Sequence, residues 1–389
     1  MRQEQYTLSC KDVSRWTVQC LVQALGWSMR AGPVSGELLV QLLVRAAAEM
    51  RSLSAIVRQA SAAPSLETIR QALGRCLPRT PEELLPATTQ ALHSRLPKSL
   101  KKRPRTMAID WHLRPYYGSP KTRGVVRGQP KASTKIFFAY ASLLVIRRGQ
   151  TFTVGLTHVG QGEEQTAVIA RLLEQARQAG LRVRRLLLDR GFYAATTIQW
   201  LQQASLPFVM PMIRRGKSRH RKAECTGTAQ FFVARRRGWT TYTWTARPRR
   251  GGRKQPALTV TVDVCMAPRP PGRTKKKGPL VFACHGISCA PRQLVTWYRQ
   301  RFQIETSYRQ LGEGLAATCS TNAVYRLLLV AIALVLRNLW VWLHWSVLAE
   351  GRTAARRLRH DKLPLRRMTY WLMAVLDETL GIQPGVIST

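Results

Sequence analysis

Val183-Arg184-Arg185-Leu186-Leu187-Leu188-Asp189-Arg190-Gly191-Phe192-Tyr193 is a short, nearly continuous apolar run that stops at an acid. Such a run is what a central strand covered on both faces requires, and it predicts a strand over 183–188. Just before it, Glu163 to Gln178 has helical periodicity through Val168, Leu172 and Ala176, and Gly180 stops it. Just after it come a helix over Ala194 to Ala204 and a strand over Pro207 to Ile213. Further upstream, Thr106 to Leu113 alternates, with Met107, Ile109, Trp111 and Leu113 on one face and Ala108, Asp110 and His112 on the other. Ile136 to Ile146 and Thr151 to His158 are β-rich runs joined by Arg147, Arg148, Gly149 and Gln150, which predicts a hairpin. The resulting order is β-β-β-α-β-α-β, an α/β fold.

The flanks differ in character. Residues 1 to about 93 read as helical. Within them Leu53, Ile56 and Val57 form one short amphipathic face, Ala62, Ala63 and Pro64 break it, and Ser65 can cap a second helix carrying Leu66, Ile69 and Leu73. This resembles a helix-turn-helix, although any small helical bundle contains such pairs. Ser94 to Arg105, with Pro97, Pro104 and six basic residues, reads as a linker able to lie against phosphates. Between Arg214 and Ala283 the chain turns to Gly- and Pro-punctuated strand material with Trp239, Tyr242, Trp244 and two basic patches, Arg214 to Lys222 and Arg273 to Lys277. One long helix is expected from Ala290 to about Gly314, then an apolar helix near Asn322 to Glu350 and a basic tail. The expected organisation is a helical DNA-binding domain (1–100), a core in two parts (101–213 and 284–389) and a β-rich insertion (214–283).

Charge narrows the function. The 389 residues hold 62 Lys and Arg against 20 Asp and Glu, a net charge of +42 that calls for a polyanion, with nucleic acid foremost. Basic residues are spread along the chain rather than gathered in one amphipathic helix, which argues against a membrane surface. Leu327 to Leu336 is apolar for ten residues, short of the about 20 that span a bilayer, so a core helix is expected there. None of the eight cysteines forms a Cys-x-x-Cys pair. The Cys284, His285, Cys289 set lacks a second pair at zinc-finger spacing. Reduced thiols and a cytoplasmic, nucleoid-associated protein are expected.

The acids carry the chemistry. Asp110 and Asp189 each follow an apolar stretch, where a carboxylate costs desolvation energy unless something compensates it. In an RNase-H-like sheet the first and fourth strands are neighbours and these two side chains converge. Taken singly, each is more simply a strand-end cap or a partner of Arg114 or Arg190. On the helix after the insertion, Tyr298, Arg301, Glu305 and Tyr308 share a face, while Trp297, Ile304 and Leu311 suit the core. An Arg301 to Glu305 pair within the helix is the plainer account, worth only about 0.3 to 0.5 kcal/mol. For Tyr298, core packing and contact with a base stand as equal alternatives. His112 shares the Asp110 face.

Trp297-Tyr298-Arg299-Gln300-Arg301-Phe302-Gln303-Ile304-Glu305 resembles the Tyr-x-x-Arg-x-x-x-Glu part of the Tyr-Arg-Glu-Lys signature of bacterial and archaeal insertion-sequence DDE transposases. Asp189-Arg190-Gly191-Phe192-Tyr193 is similar to their second-aspartate motif, and Ile109-Asp110 with Tyr116, Tyr117 and Gly118 to the first. The spacings are 79 residues from Asp110 to Asp189 and 116 from Asp189 to Glu305. The signature lysine, seven residues past the glutamate, falls on Gly312, which leaves Arg309 to supply that phosphate contact.

The resemblance implies an RNase-H-like core with a β insertion. It also implies catalytic, metal-holding Asp110, Asp189 and Glu305 with two Mg²⁺ or Mn²⁺ ions, and DNA contacts from Tyr298, Arg301, Arg309 and Arg190. The implied activity is DNA transposition: binding of terminal inverted repeats, endonuclease cleavage and strand transfer, with double-stranded transposon ends and target DNA as partners and a homodimer in the synaptic complex. A lapsed DNA-binding descendant, which Gly312 favours, and a nuclease without strand transfer are the rivals.

Overall fold

Hydroxyl side chains begin the N-terminal helices. The computed structural model describes residues 7–27, 34–147, 151–217, 225–233, 237–247, 249–250, 253–254, 256–269, 278–349 and 361–383. Ser9 and Asp12 form a reciprocal capping box on α1 (Cys10–Leu25). Ser35 caps α2 (Gly36–Glu49), Ser52 caps α3 (Leu53–Val57), Ser65 caps α4 (Leu66–Cys76) and Thr80 caps α5 (Pro81–His93). Each oxygen accepts one of the backbone N–H groups that a helix start leaves without a partner. The expected break between α3 and α4 is present, and it is fixed to the far end of the chain. Ala62 N–H donates to the Leu380 carbonyl at 3.1 Å and Ser61 Oγ to the Gly381 carbonyl at 2.9 Å. Gly381 has φ +65°, and a Cβ there would lie 2.3 Å from Ser61 Oγ, so the contact requires glycine.

The sheet is built from β1 (Arg105–Pro115), β2 (Val126–Lys131), β3 (Thr134–Val145) and β4 (Phe152–Val159), then α6 (Gln165–Gln178), β5 (Val183–Leu188), α7 (Ala195–Gln203) and β6 (Phe208–Pro211). β3 pairs antiparallel with β1 and β4, whereas β1, β5 and β6 run parallel. The order β4-β3-β1-β5-β6 is the expected RNase-H-like arrangement. β2 was not foreseen. Its turn, Ala132-Ser133, has φ +50° and +60° without Gly or Asn, and Pro130 is tolerated because β2 lies at an edge.

The segment expected as an insertion continues this same sheet. β7 (Gly238–Ala246), the two-residue pair β8 (Arg249–Arg250) and β9 (Arg253–Lys254), β10 (Leu258–Ala267) and β11 (Leu280–His285) follow β6. β11 pairs with β6, β10 with β11 and β7 with β10, giving one nine-stranded sheet whose far edge is β7. Most of its basic patches lie outside the described residues, as do Arg148 to Gln150 of the hairpin and the basic tail before 361.

Helices cover both faces. α8 (Pro291–Arg299) lies over the face made by Ala108, Leu144, Leu187, Val209, Cys265 and Phe282. The opposite face joins α6, α7, the N-terminal helices and α10 (Ala323–Ser346) in one continuous core. α10 is 24 residues long with mean hydropathy 1.9, enough to cross a membrane by length and composition, but 94% of its most apolar window is buried inside the protein. α11 (Leu365–Leu380), expected with the second part of the core, packs on α1 and α2, and buried Arg45 of α2 pairs with Asp377 across that contact and with Glu49 on its own helix.

Side-chain amides and a ring nitrogen satisfy the outer edge of β4. Asn338 on α10 accepts from Thr153 N–H at 2.9 Å and donates to its carbonyl at 2.7 Å, as a neighbouring strand would. Gln175 on α6 does the same for Leu156 at 2.8 and 3.0 Å. Between them the strand bulges at Val154, whose carbonyl accepts from His93 at 2.7 Å. Replacing Asn338 with Leu orphans two buried groups of Thr153. Asn338→Leu is expected to lower unfolding stability by about 1 to 3 kcal/mol in urea titrations; an unchanged midpoint would show that the amide is dispensable.

Candidate active site

β1 and β5 are in parallel register from Met107 opposite Leu186 to Ile109 opposite Leu188. The next residue on each is the acid. Met107, Ala108, Ile109 and Leu186, Leu187, Leu188 are all fully buried, so both carboxylates emerge together from the same dry seam. Each is steadied by the backbone that follows it. Asp110 Oδ1 accepts from Trp111 N–H at 2.9 Å and Asp189 Oδ1 from Arg190 N–H at 2.7 Å.

One guanidinium spans the pair. Arg301 Nη1 lies 3.3 Å from Asp110 Oδ2, and Nη2 lies 3.8 Å from Asp189 Oδ1. Arg301 is only 7% exposed, so this charge is held largely out of water, where it requires compensation. The convergence expected of the two strand acids is therefore present. Hard carboxylate oxygens from both strands that face one positive group are the donor type a divalent cation takes.

The third acid, Glu305, is on α9 (Phe302–Leu311), one turn beyond Arg301. The side chains of 305–309 lie outside the described residues, and with them Glu305, Tyr308 and Arg309. Among the described residues no group of three His, Cys, Asp or Glu stands close enough to hold a metal.

The long helix expected from 290 to 314 is two helices. Between α8 and α9 the bonds tighten to three-residue spacing: Gln300 N–H to Trp297 O, Arg301 N–H to Tyr298 O, Gln303 N–H to Gln300 O and Ile304 N–H to Arg301 O. The common helical face expected for Tyr298, Arg301, Glu305 and Tyr308 is thus interrupted at Arg301. Arg301, expected on a phosphate, turns onto the aspartates.

Tyr298 packs in the core. It is 8% exposed, its ring lies 5.0 Å from that of Phe282, and its hydroxyl donates to the Leu188 carbonyl at 3.2 Å. Burial raises its phenol pKa above the ordinary value, while Arg301 opposes the shift. Trp297, expected in the core, is half-buried under the Arg185 guanidinium at 3.5 Å. Ile304 and Leu311 are buried as expected. Arg190 is exposed beside Asp189.

The aromatic residues after Asp189 lock the second acid to its surroundings. Phe192 is fully buried and stacks on Trp111 at 5.3 Å, next to the first acid. Tyr193 stacks on Trp244 at 5.7 Å, and Trp244 on Tyr242 at 5.4 Å, so these aromatics of β7 are packing residues that tie the sheet's far half to the acid-bearing turn. Trp239 Nε1 donates to the Cys289 carbonyl at 2.9 Å. After the first acid, Tyr116 is buried beneath Arg326, and Tyr117 is 72% exposed. Cys284 is fully buried and its thiol pKa is raised by burial, while His285 lies 6.0 Å from the Phe208 ring on the opposite side of β11. Gly312 begins a 3-10 turn after α9, with open space where a Cβ would be.

Comparison with known proteins agrees with this geometry. The chain matches the family described as "Transposase DDE domain" over residues 101–336. A search of curated proteins finds no match. Seven solved chains match, among them a piggyBac transposase in a synaptic complex with hairpin DNA, seen by cryo-EM. That likeness has a TM-score of 0.53 at 11% identity and covers 99% of this chain and 84% of the other. At this identity it speaks to fold.

His112, on the Asp110 face of β1, is half-buried. Burial lowers its pKa from 6.5 to about 3, and Arg114 and Lys131 push in the same direction. Its unfolded-state pKa is higher than its folded one, so unfolding takes up a proton between about pH 6.5 and 3 and stability falls as pH drops through that window. His112→Phe is expected to remove about one proton of uptake from the pH dependence of unfolding. Equal slopes for both proteins would mean that the imidazole is charged in the fold.

Proposed function

As the chain belongs to the transposases with a DDE domain, we propose that Asp110, Asp189 and Glu305 are the three acids of that domain and hold two Mg²⁺ or Mn²⁺ ions. Membership makes the protein a metal-dependent enzyme that cuts DNA and transfers its strands. The observation that carries the residue assignment is the shared contact of Asp110 and Asp189 with one cationic group, Arg301. Two carboxylates remote in sequence meet at a single positive charge, as they would at a metal.

Divalent ions bound there would activate water or a 3′-hydroxyl and stabilise the charge on attacking and leaving oxygens of an in-line displacement. The chain's own residues orient this chemistry. Backbone N–H groups of Trp111 and Arg190 steady Oδ1 of each aspartate; Asp110 presents its other oxygen to Arg301, and Asp189 presents Oδ1 itself. Tyr298 braces the end of β5 through Leu188, so the second acid is supported from below. Arg301 and Arg190 are near enough to the acids to engage a phosphate that enters the site. Arg309 is our candidate for the contact that Gly312 cannot make.

The net charge of +42 supports a broad duplex interface whose affinity falls steeply with salt. Terminal inverted repeats are the proposed specific ligand, with the α3–α4 pair as the proposed reading element. A homodimer is proposed for the synaptic complex and the cytoplasm, on the nucleoid, for its location.

Asp110→Ala, Asp189→Ala and Glu305→Ala are each expected to abolish Mg²⁺-dependent nicking of the matching transposon end while the DNA still shifts in a gel. Normal cutting by any one of them would remove that residue from the site. Joined products in the wild-type reaction separate a transposase from a nuclease that only cuts.

A further inference from the structure

Arg301 does more than stand near the acids. Its two terminal nitrogens face Asp110 Oδ2 and Asp189 Oδ1, and α8 ends so that this residue can point inward. The guanidinium carbon lies 5.7 and 5.9 Å from the ring centres of Tyr298 and Phe302. A rigid fork of this kind suits two acceptors at once, where an ammonium would serve as a single point charge.

A metal and this guanidinium need the same oxygens. Divalent Mg²⁺ binds carboxylate oxygen at about 2.0 to 2.1 Å, so a metal on these atoms would stand within a few ångströms of the guanidinium, and the two positive charges would repel. Arginine and metal therefore compete for the pair of acids. A DNA phosphate offers the fork an equivalent bidentate partner. Once Arg301 turns to a phosphate, its positive charge leaves the two carboxylates, and a divalent cation binds there more favourably.

We infer that Arg301 is an exchangeable surrogate cation: it holds Asp110 and Asp189 together without metal and is drawn off by DNA phosphate, so that DNA binding and metal loading are coupled. This rests on the reading that the two aspartates hold metal. The coupling follows from linkage, since whatever removes the competitor for one ligand raises affinity for the other, and the effect is reciprocal. It would restrict metal loading, and with it cleavage chemistry, to protein engaged on DNA.

The test measures Mn²⁺ binding to the full chain by electron paramagnetic resonance of the free ion, with and without a mixed-sequence duplex at low salt. Arg301→Gln is expected to bind Mn²⁺ more tightly than wild type without DNA, on the order of tenfold. Arg301→Lys keeps the charge but not the fork, and is expected to fall between them. Duplex should raise Mn²⁺ affinity in wild type by a larger factor than in Arg301→Gln. Equal or weaker Mn²⁺ binding by both variants, or equal duplex factors in wild type and Arg301→Gln, would overturn the exchange. The site reading is tested separately: Asp110→Asn added to Arg301→Gln should abolish the tight Mn²⁺ site, and its persistence would sink the metal assignment.

Discussion

The parallel pairing of β1 with β5 is the constraint on which the rest depends. Its last rung joins Ile109 to Leu188, and each strand continues into an aspartate. Main-chain hydrogen bonds and a dry seam of six buried residues set the register. A slip by one residue would turn one acid to the opposite sheet face, because strand side chains alternate. The antiparallel pairing of β1 with β3 and the parallel pairing of β5 with β6 hold this ladder at the centre of the sheet.

Electrostatics then determine what can enter the seam. The protein is strongly cationic, yet its central site is built from acids. Two carboxylates at one point repel each other, and a guanidinium, a metal or a proton must compensate them. Arg301 reaches them because the chain tightens between α8 and α9. The same tightening separates Tyr298, which is buried against Phe282, from the start of the helix that carries Glu305.

The periphery answers a different demand. A sheet edge exposes backbone donors and acceptors, and here α6 and α10 cover the β4 edge while Gln175 and Asn338 supply the missing partners. Arg337, beside Asn338, is buried with its pKa lowered to about 10, and donates to the Thr151 carbonyl and to Gln310 of α9. α10 thus connects the β4 edge to the helix that carries Glu305. The C-terminal α11 closes the molecule by packing on α1 and α2 and bonding to the α3–α4 turn.

Local pattern in the amino-acid sequence was enough for the alternating β1, the apolar β5 ending in Asp189, the β3–β4 hairpin and the Ser65 cap, because strand period, capping chemistry and burial of short apolar runs act over a few residues. β2 escaped it, since Ala132-Ser133 carries no glycine or asparagine to mark a left-handed turn. So did the break at Arg301, because nothing in Gln300-Arg301 disfavours a helix and the pull comes from acids 191 and 112 positions away. Trp297, expected in the core, is half-buried, and of the two alternatives for Tyr298 core packing is the one seen. Only the tertiary structure could decide that the material from 214 to 283 extends the central sheet and that a guanidinium spans Asp110 and Asp189. Both depend on strand edges and charges that meet in space, and no local period or propensity encodes those meetings.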